Sequence, residues 1–98
     1  MYVIVMHQLT DPPAAFARGE LLMKGEGAPA DVRVLQFFPS REGDAVTCLW
    51  ESPSVAAVQG YVDATLGEAS VNTCYEVDAD QAFARQAAGI AAEPAIPA

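Results

Sequence analysis

The chain has 98 residues, of which 52% are hydrophobic and 18% charged, a composition that suits one globular domain with a modest core and argues against disorder. Thirteen Asp and Glu residues against five Lys and Arg give a formal net charge of −8. Nucleic acids and anionic membrane surfaces are therefore excluded as partners, because the long-range force would be repulsive.

One motif occurs twice along the chain: an apolar strand, a helix with a proline at its start, a glycine-bearing loop and a second strand. It predicts strands over residues 2–9, 32–38, 45–51 and 71–77. Asp11 and Ser52 are the predicted N-caps of the two helices, with Pro12 and Pro53 at their first positions, and Gly25 and Gly67 follow their ends.

This order, βαββαβ, predicts an α+β fold, the ferredoxin-like sandwich with strand order 4-1-3-2. We expect that domain to span residues 1–78, followed by a short Ala-rich helix and a tail over residues 79–98. The apolar start MYVIVM has no basic region before it and is short for a signal peptide. With two cysteines and no basic leader, the sequence predicts a cytoplasmic protein with free thiols. No apolar run approaches the roughly 20 residues that cross a bilayer.

The strands are apolar on both faces, which one layer of helices cannot cover. The first strand begins Tyr-Val-Ile-Val-Met, and the third alternates Val46, Cys48 and Trp50 with Ala45, Thr47 and Leu49. A sheet with one face in water should alternate apolar and polar residues. The simplest cover for the second face is another copy, so the patterning predicts a homodimer, a dimeric α+β barrel.

When the two repeats are superimposed with Pro12 on Pro53, His7, the only histidine, is paired with Cys48. Strand four carries Cys74 and Glu76 on one face. Imidazole and thiolates suit nickel, zinc or copper, so His7, Cys48, Cys74 and Glu76 are candidate metal ligands. The alternative is that the cysteines pack as small hydrophobes. Cys48 with His7 as its base would be a nucleophile, but the sequence offers no third, orienting group.

Trp50, Tyr61 and Tyr75 are the candidate residues for a small-molecule pocket, because each has a polar tip that needs a partner when buried. The alternative is that they are core residues. The chain contains no GxGxxG, P-loop, GxSxG or HExxH motif, so no nucleotide cofactor is expected.

The stretch TCLWESPSVAAVQGYVDATLG, and most specifically Thr47 to Val55, resembles nickel-responsive-protein-like ferredoxin-fold domains of bacteria. The resemblance implies a dimer, and a transition-metal role for some members. Members often carry a histidine in helix two, where this chain has Gly60 and Tyr61.

These observations favour a homodimeric ferredoxin-like protein that binds a small molecule or a transition metal ion. A cofactor-independent enzyme of the monooxygenase or isomerase type, which would share only the fold, is the alternative. An interaction module without a ligand is the third interpretation.

Overall fold

The computed structural model describes residues 1–94. One four-stranded antiparallel sheet, in the order β2-β3-β1-β4, carries two α-helices on one face. The elements in chain order are β1 (Tyr2–Leu9), α1 (Pro12–Lys24), β2 (Arg33–Pro39), β3 (Ala45–Glu51), α2 (Val55–Leu66), a 3-10 turn (Gly67–Ala69) and β4 (Ser70–Glu76). The predicted α+β class and strand order are confirmed, and the architecture is compatible with a ferredoxin-like fold. No helix in residues 1–94 is long and apolar enough to cross a membrane.

The ends of α1 follow the sequence signals. The Asp11 carboxylate accepts a hydrogen bond from the Ala14 backbone N–H at 3.3 Å, which satisfies one of the free donors in the first turn. Gly25 ends the helix in the left-handed region at φ 72°, a conformation that costs glycine little because it has no Cβ.

The start of α2 lies two residues later than predicted. Ser54 is the N-cap, because its hydroxyl accepts the Ala57 N–H at 3.1 Å. The predicted cap, Ser52, is buried and instead donates its hydroxyl to the Ser54 carbonyl at 2.8 Å. Pro53 therefore precedes the helix and does not occupy its first position.

The core lies between the sheet and the helices. On β1, the side chains that face the helices are Val3, Val5, His7 and Leu9, and on β3 they are Val46, Cys48 and Trp50. From α2 the core takes Val58, Tyr61, Val62 and Leu66, while α1 adds Ala15 and Leu22. Helix α2 packs against β1 and β4, and α1 packs against α2.

The predicted pairing of His7 with Cys48 is wrong. His7 lies opposite Val46, and Cys48 lies opposite Val5. The repeat aligns equivalent positions of two strands that each lead into a helix. Because β1 and β3 are antiparallel, the order of equivalent positions is reversed, so His7 and Cys48 are on the same face but offset by two residues and not directly opposite.

The two edges of the sheet differ. Edge strand β2 has a β-bulge between Val34 and Gln36 and ends at Pro39, features that obstruct pairing with another strand. Edge strand β4 pairs with β1 in one unbroken register from Ser70 to Glu76 and contains no proline and no lysine. Its outer edge therefore has none of those obstacles.

The predicted C-terminal helix does not form within residues 79–94, which have turns and irregular backbone. Alanine favours helix, but a short helix is marginal in water without an apolar face to pack, and Gly89 at φ 86° interrupts this segment. Residues 95–98 of the predicted tail lie outside the described part of the chain.

Candidate functional site

Two of the three predicted pocket aromatics meet in the core. The rings of Trp50 and Tyr61 stack edge to face, with their centroids 5.9 Å apart and their planes at 90°. The Tyr61 hydroxyl donates to the Glu26 carbonyl at 2.6 Å, and burial, with the Glu26 charge, raises its pKa. The indole N–H of Trp50 is buried and has no hydrogen-bond partner in the described residues. Tyr75 lies on the opposite face of the sheet and is 49% exposed, so it does not join the pair.

The four predicted metal ligands share the helix-facing side of the sheet but are spread over three strands. Cys48 and Cys74 both lie opposite Val5, one on each side of it, so about 9.6 Å, two strand spacings, separates them. Glu76 lies opposite Val3, at the end of the sheet away from His7. The described residues contain no group of three or more His, Cys, Asp or Glu side chains that could hold a metal ion.

Burial raises the pKa of the Cys48 thiol to about 12, and burial with the Asp63 charge raises that of Cys74 to about 11. Only the thiolate attacks disulfide reagents, so in folded protein at pH 8 we expect Cys48 to react at least about tenfold more slowly with Ellman's reagent than an ordinary thiol, after allowing for the higher nucleophilicity of a thiolate of high pKa. The half-buried Cys74 should react first, and both rates should rise about tenfold per pH unit. Denatured, unreduced protein should give two thiols per chain; finding none would mean that the cysteines are bridged.

A polar network that the sequence analysis missed surrounds His7. The Nδ1 atom of His7 lies 2.6 Å from the side-chain oxygen of Asn72. The Asn72 amide nitrogen donates to Asp63 at 2.9 Å, and Gln59 donates to both Asp63 oxygens at 3.0 and 3.1 Å. The Ser70 hydroxyl donates to the same Asn72 oxygen at 2.7 Å. The signal that could have found this network was the alternation of β4, which places two polar residues, Ser70 and Asn72, on its helix-facing side.

The network fixes the tautomer of His7. A carboxylate only accepts hydrogen bonds, so the Asn72 nitrogen must face Asp63 and its oxygen must face His7. We therefore assign the proton of the neutral ring to Nδ1, which leaves the Nε2 lone pair as an acceptor. No hydrogen bond connects Nε2 to the residues that the structure describes. Burial lowers the His7 pKa, against smaller opposing effects of Asn72 and Asp63, so the ring is neutral at pH 7 and can accept a proton.

The lowered pKa of His7 makes stability depend on pH. As the pH falls below about 6.5, histidine in the unfolded chain takes up a proton that the folded chain resists, so the free energy of unfolding falls by up to about 1.4 kcal/mol per pH unit. Above that pH the contribution is fully present. His7→Asn keeps an N–H near the Asn72 oxygen but cannot titrate. Urea unfolding from pH 8 to 5 should show a smaller loss for His7→Asn than for the parent; equal losses would contradict the assignment.

The second candidate site is the sheet face away from the helices. We define the open face by its seven large apolar residues, Tyr2, Ile4, Met6, Phe38, Leu49, Val71 and Tyr75. Ile4 and Leu49 are half-buried, Met6 is 46% exposed and Val71 60%. Between them lie the hydroxyls of Thr47 and Thr73, both cross-strand neighbours of Met6. Scattered apolar residues are normal on a surface, but a contiguous patch marks an interaction site.

Charge is almost absent from the open face. The strand registers put only Arg33 and Glu51 on this side of the sheet, and these two form an ion pair at 2.9 Å. The chain has thirteen acidic residues and a net charge of −8, so its negative charge lies elsewhere. Two copies could therefore approach through their open faces without juxtaposing their acidic residues.

A comparison with known proteins identifies no relative: no family model matches the chain, and no curated protein or solved structure matches it at a significant level.

Proposed function

We propose that this chain acts as a homodimer whose two open faces pack against each other, and that the enclosed space binds a small, largely apolar molecule. The observation that carries the proposal is the contiguous apolar and nearly uncharged face opposite the helices. Burial of apolar surface is the main favourable term in association. The resemblance of Thr47–Val55 to nickel-responsive-protein-like domains implies the same dimer.

The open face alone is too small to form a standard stable dimer interface. A face of four strands, about 4.8 Å apart and about 23 Å long, has an area of roughly 450 Å². Each partner in a standard stable interface buries about 800 Å². The open face would therefore form the centre of the interface, and surface at its margin would have to complete it.

Two four-stranded sheets packed face to face contain eight strands. An eight-stranded barrel has an interior that side chains just fill or that holds one small ligand. The uncharged hydrogen-bonding groups of the open face are the hydroxyls of Tyr2, Thr47, Thr73 and Tyr75 and the amides of Gln8 and Gln36, and its two charges neutralise each other. We therefore expect a neutral ligand, mainly apolar, with one or two hydrogen-bonding groups.

Sedimentation equilibrium and native mass spectrometry of protein as purified test this proposal. We expect a dimer at 10 μM protein, and the neutral apolar dye Nile red should bind with a stoichiometry of one per two chains. A monomer at that concentration would contradict the dimer. A dimer that neither retains a small molecule nor binds the dye would support the proposed interface but contradict the ligand site. The proposed ligand is not a metal ion, because the raised pKa values of the buried Cys48 thiol and the half-buried Cys74 thiol oppose the ionisation that metal binding needs.

The second candidate function is a cofactor-independent enzyme of the isomerase or monooxygenase type, and the observation that favours it is His7. Its ring is neutral, Asn72 holds the Nδ1 proton, and Nε2 could act as a base. The residue is 5% exposed and its side chain faces the helices, so a substrate would have to reach it between the sheet and α2, not in the space between two open faces. Incorporation of solvent deuterium into small ketone and lactone probes, lost in His7→Gln and kept in Cys74→Ser, would support this function. Equal incorporation by His7→Gln would contradict it.

A further inference from the structure

The segment of residues 77–94, which we call the C-terminal segment, leaves the sheet at one end of the open face. The Val77 N–H donates to the Tyr2 carbonyl at 2.9 Å, extending the pairing of β1 with β4 by one residue. After Val77, the hydrogen bonds of the described segment connect only its own residues, such as Ala82 to Asp78 and Ile90 to Ala87. The segment is thus tethered at its start and has no hydrogen bonds to the domain beyond it.

The C-terminal segment carries two large apolar side chains that are exposed. Phe83 is 82% exposed, the highest value among the large hydrophobic residues of the described chain, and Ile90 is 52% exposed. The guanidinium of Arg85 lies over the Phe83 ring, 5.2 Å from the ring centre. Arg85 is also the only charge in residues 81–92 of this strongly acidic chain. Burial of the apolar side chains of this stretch is favourable in free energy, and the stretch has no acidic residue that would oppose its contact with an apolar surface.

The position and length of the C-terminal segment suit the margin of the open face. Tyr2, Val77 and Asp78 line a depression of about 440 Å³ where the segment begins. The seventeen residues from 78 to 94 span up to about 55 Å when extended, whereas the longest dimension of the molecule is 35 Å. The segment can therefore reach from one copy across to another.

We propose that the C-terminal segment of each copy lies on the second copy, with Phe83 and Ile90 packed at the margin of the partner's open face. This inference rests on the proposed dimer. The open face provides little more than half of the area that a standard interface buries per partner, and the segment supplies the missing apolar surface. The segment is long enough to fold back on its own domain, and yet Phe83 is exposed. The partner's surface is therefore the better docking site for the segment than its own domain.

Two experiments on the full chain test this inference. In the first, the double variant Phe83→Ser, Ile90→Ser should weaken dimerisation 10- to 100-fold in sedimentation equilibrium. The matched control is Phe16→Ser, Leu21→Ser, which removes two similarly large, exposed side chains from α1 and should change the dimer dissociation constant less than threefold. Because Phe83 and Ile90 are exposed and lie outside the hydrophobic core of the domain, the thermal unfolding of the double variant should match that of the parent at equal fractions of dimer.

In the second experiment, the photoreactive residue benzoylphenylalanine replaces Phe83. Irradiation of the dimer should join two chains, and the peptide cross-linked to residue 83 should come from the partner's strands. Cross-links only within one chain, or a double variant that dimerises like the parent, would overturn this inference while the proposed dimer stands. A parent chain that is monomeric at 10 μM would overturn both, so the two failures are distinguishable.

Discussion

Replacing Met6 by lysine is expected to convert the dimer into monomers. Met6 lies on the central strand β1, with Thr47 and Thr73 as its cross-strand neighbours, so the middle of the proposed interface would enclose one lysine from each copy. Burying unpaired ammonium groups costs several kcal/mol, and each 1.4 kcal/mol is tenfold in affinity. We expect the dissociation constant to rise at least about 100-fold, measured by sedimentation equilibrium.

The matched control for this change is Leu21→Lys. Leu21 lies on α1 and is 41% exposed, close to the 46% of Met6, but it is far from the open face. Surface substitutions of this kind usually change stability by about 0.5 kcal/mol or less, so both variants should keep the far-UV circular dichroism of the parent. If Met6→Lys dimerises like Leu21→Lys, the open face is not the interface.

Replacing Trp50 by alanine is expected to cost about 3–5 kcal/mol in the free energy of unfolding. Trp50 is 1% exposed and is the largest fully buried side chain of the described chain, and its removal leaves a cavity against Tyr61. A domain of this size has about 5–15 kcal/mol of stability, so the variant should be partly unfolded at modest urea concentrations. Urea titration followed by circular dichroism, at one fixed protein concentration, measures the loss.

Trp50→Phe is the informative companion variant. It removes the indole N–H, which is buried without a partner and costs about 1–3 kcal/mol in that state. This gain offsets part of the lost packing, so we expect Trp50→Phe to lie within about 1.5 kcal/mol of the parent. A loss as large as that of Trp50→Ala would contradict the assumption that the N–H is unsatisfied and would indicate a hydrogen bond to water or to a ligand in solution.

The fold was predictable because local signals and the global architecture agree. Apolar periodicity located all four strands to within one residue, and a capping residue with a nearby proline located both helices. The cap of α2 was misplaced because Ser52 and Ser54 both flank Pro53. The sequence cannot show which hydroxyl reaches the helix and which turns back into the chain.

The candidate site was less predictable, because neighbours across a sheet depend on strand direction and register. Superimposing the two repeats gave His7 the wrong partner, since antiparallel strands reverse the order of equivalent positions. Asp63 reaches the His7 network from α2 through Asn72, a contact between distant parts of the chain that no spacing reveals. The helix predicted after residue 78 failed because its alanines favour helix locally but offer no large apolar stripe to pack.

Because the two sheet edges differ, we expect misassembly to begin at the outer edge of β4. In the proposed dimer the outer edge of β4 would lie beside the partner's sheet, but in a monomer it is open, while β2 is obstructed by its bulge and Pro39. An open, unobstructed edge templates the addition of strands from other molecules. Variants that separate the dimer should therefore form fibrous aggregates over time, faster near the isoelectric point of about 4.2, where repulsion between molecules vanishes. A lysine introduced at Thr73 of β4 should slow this aggregation more than a lysine introduced at Gln36 of β2.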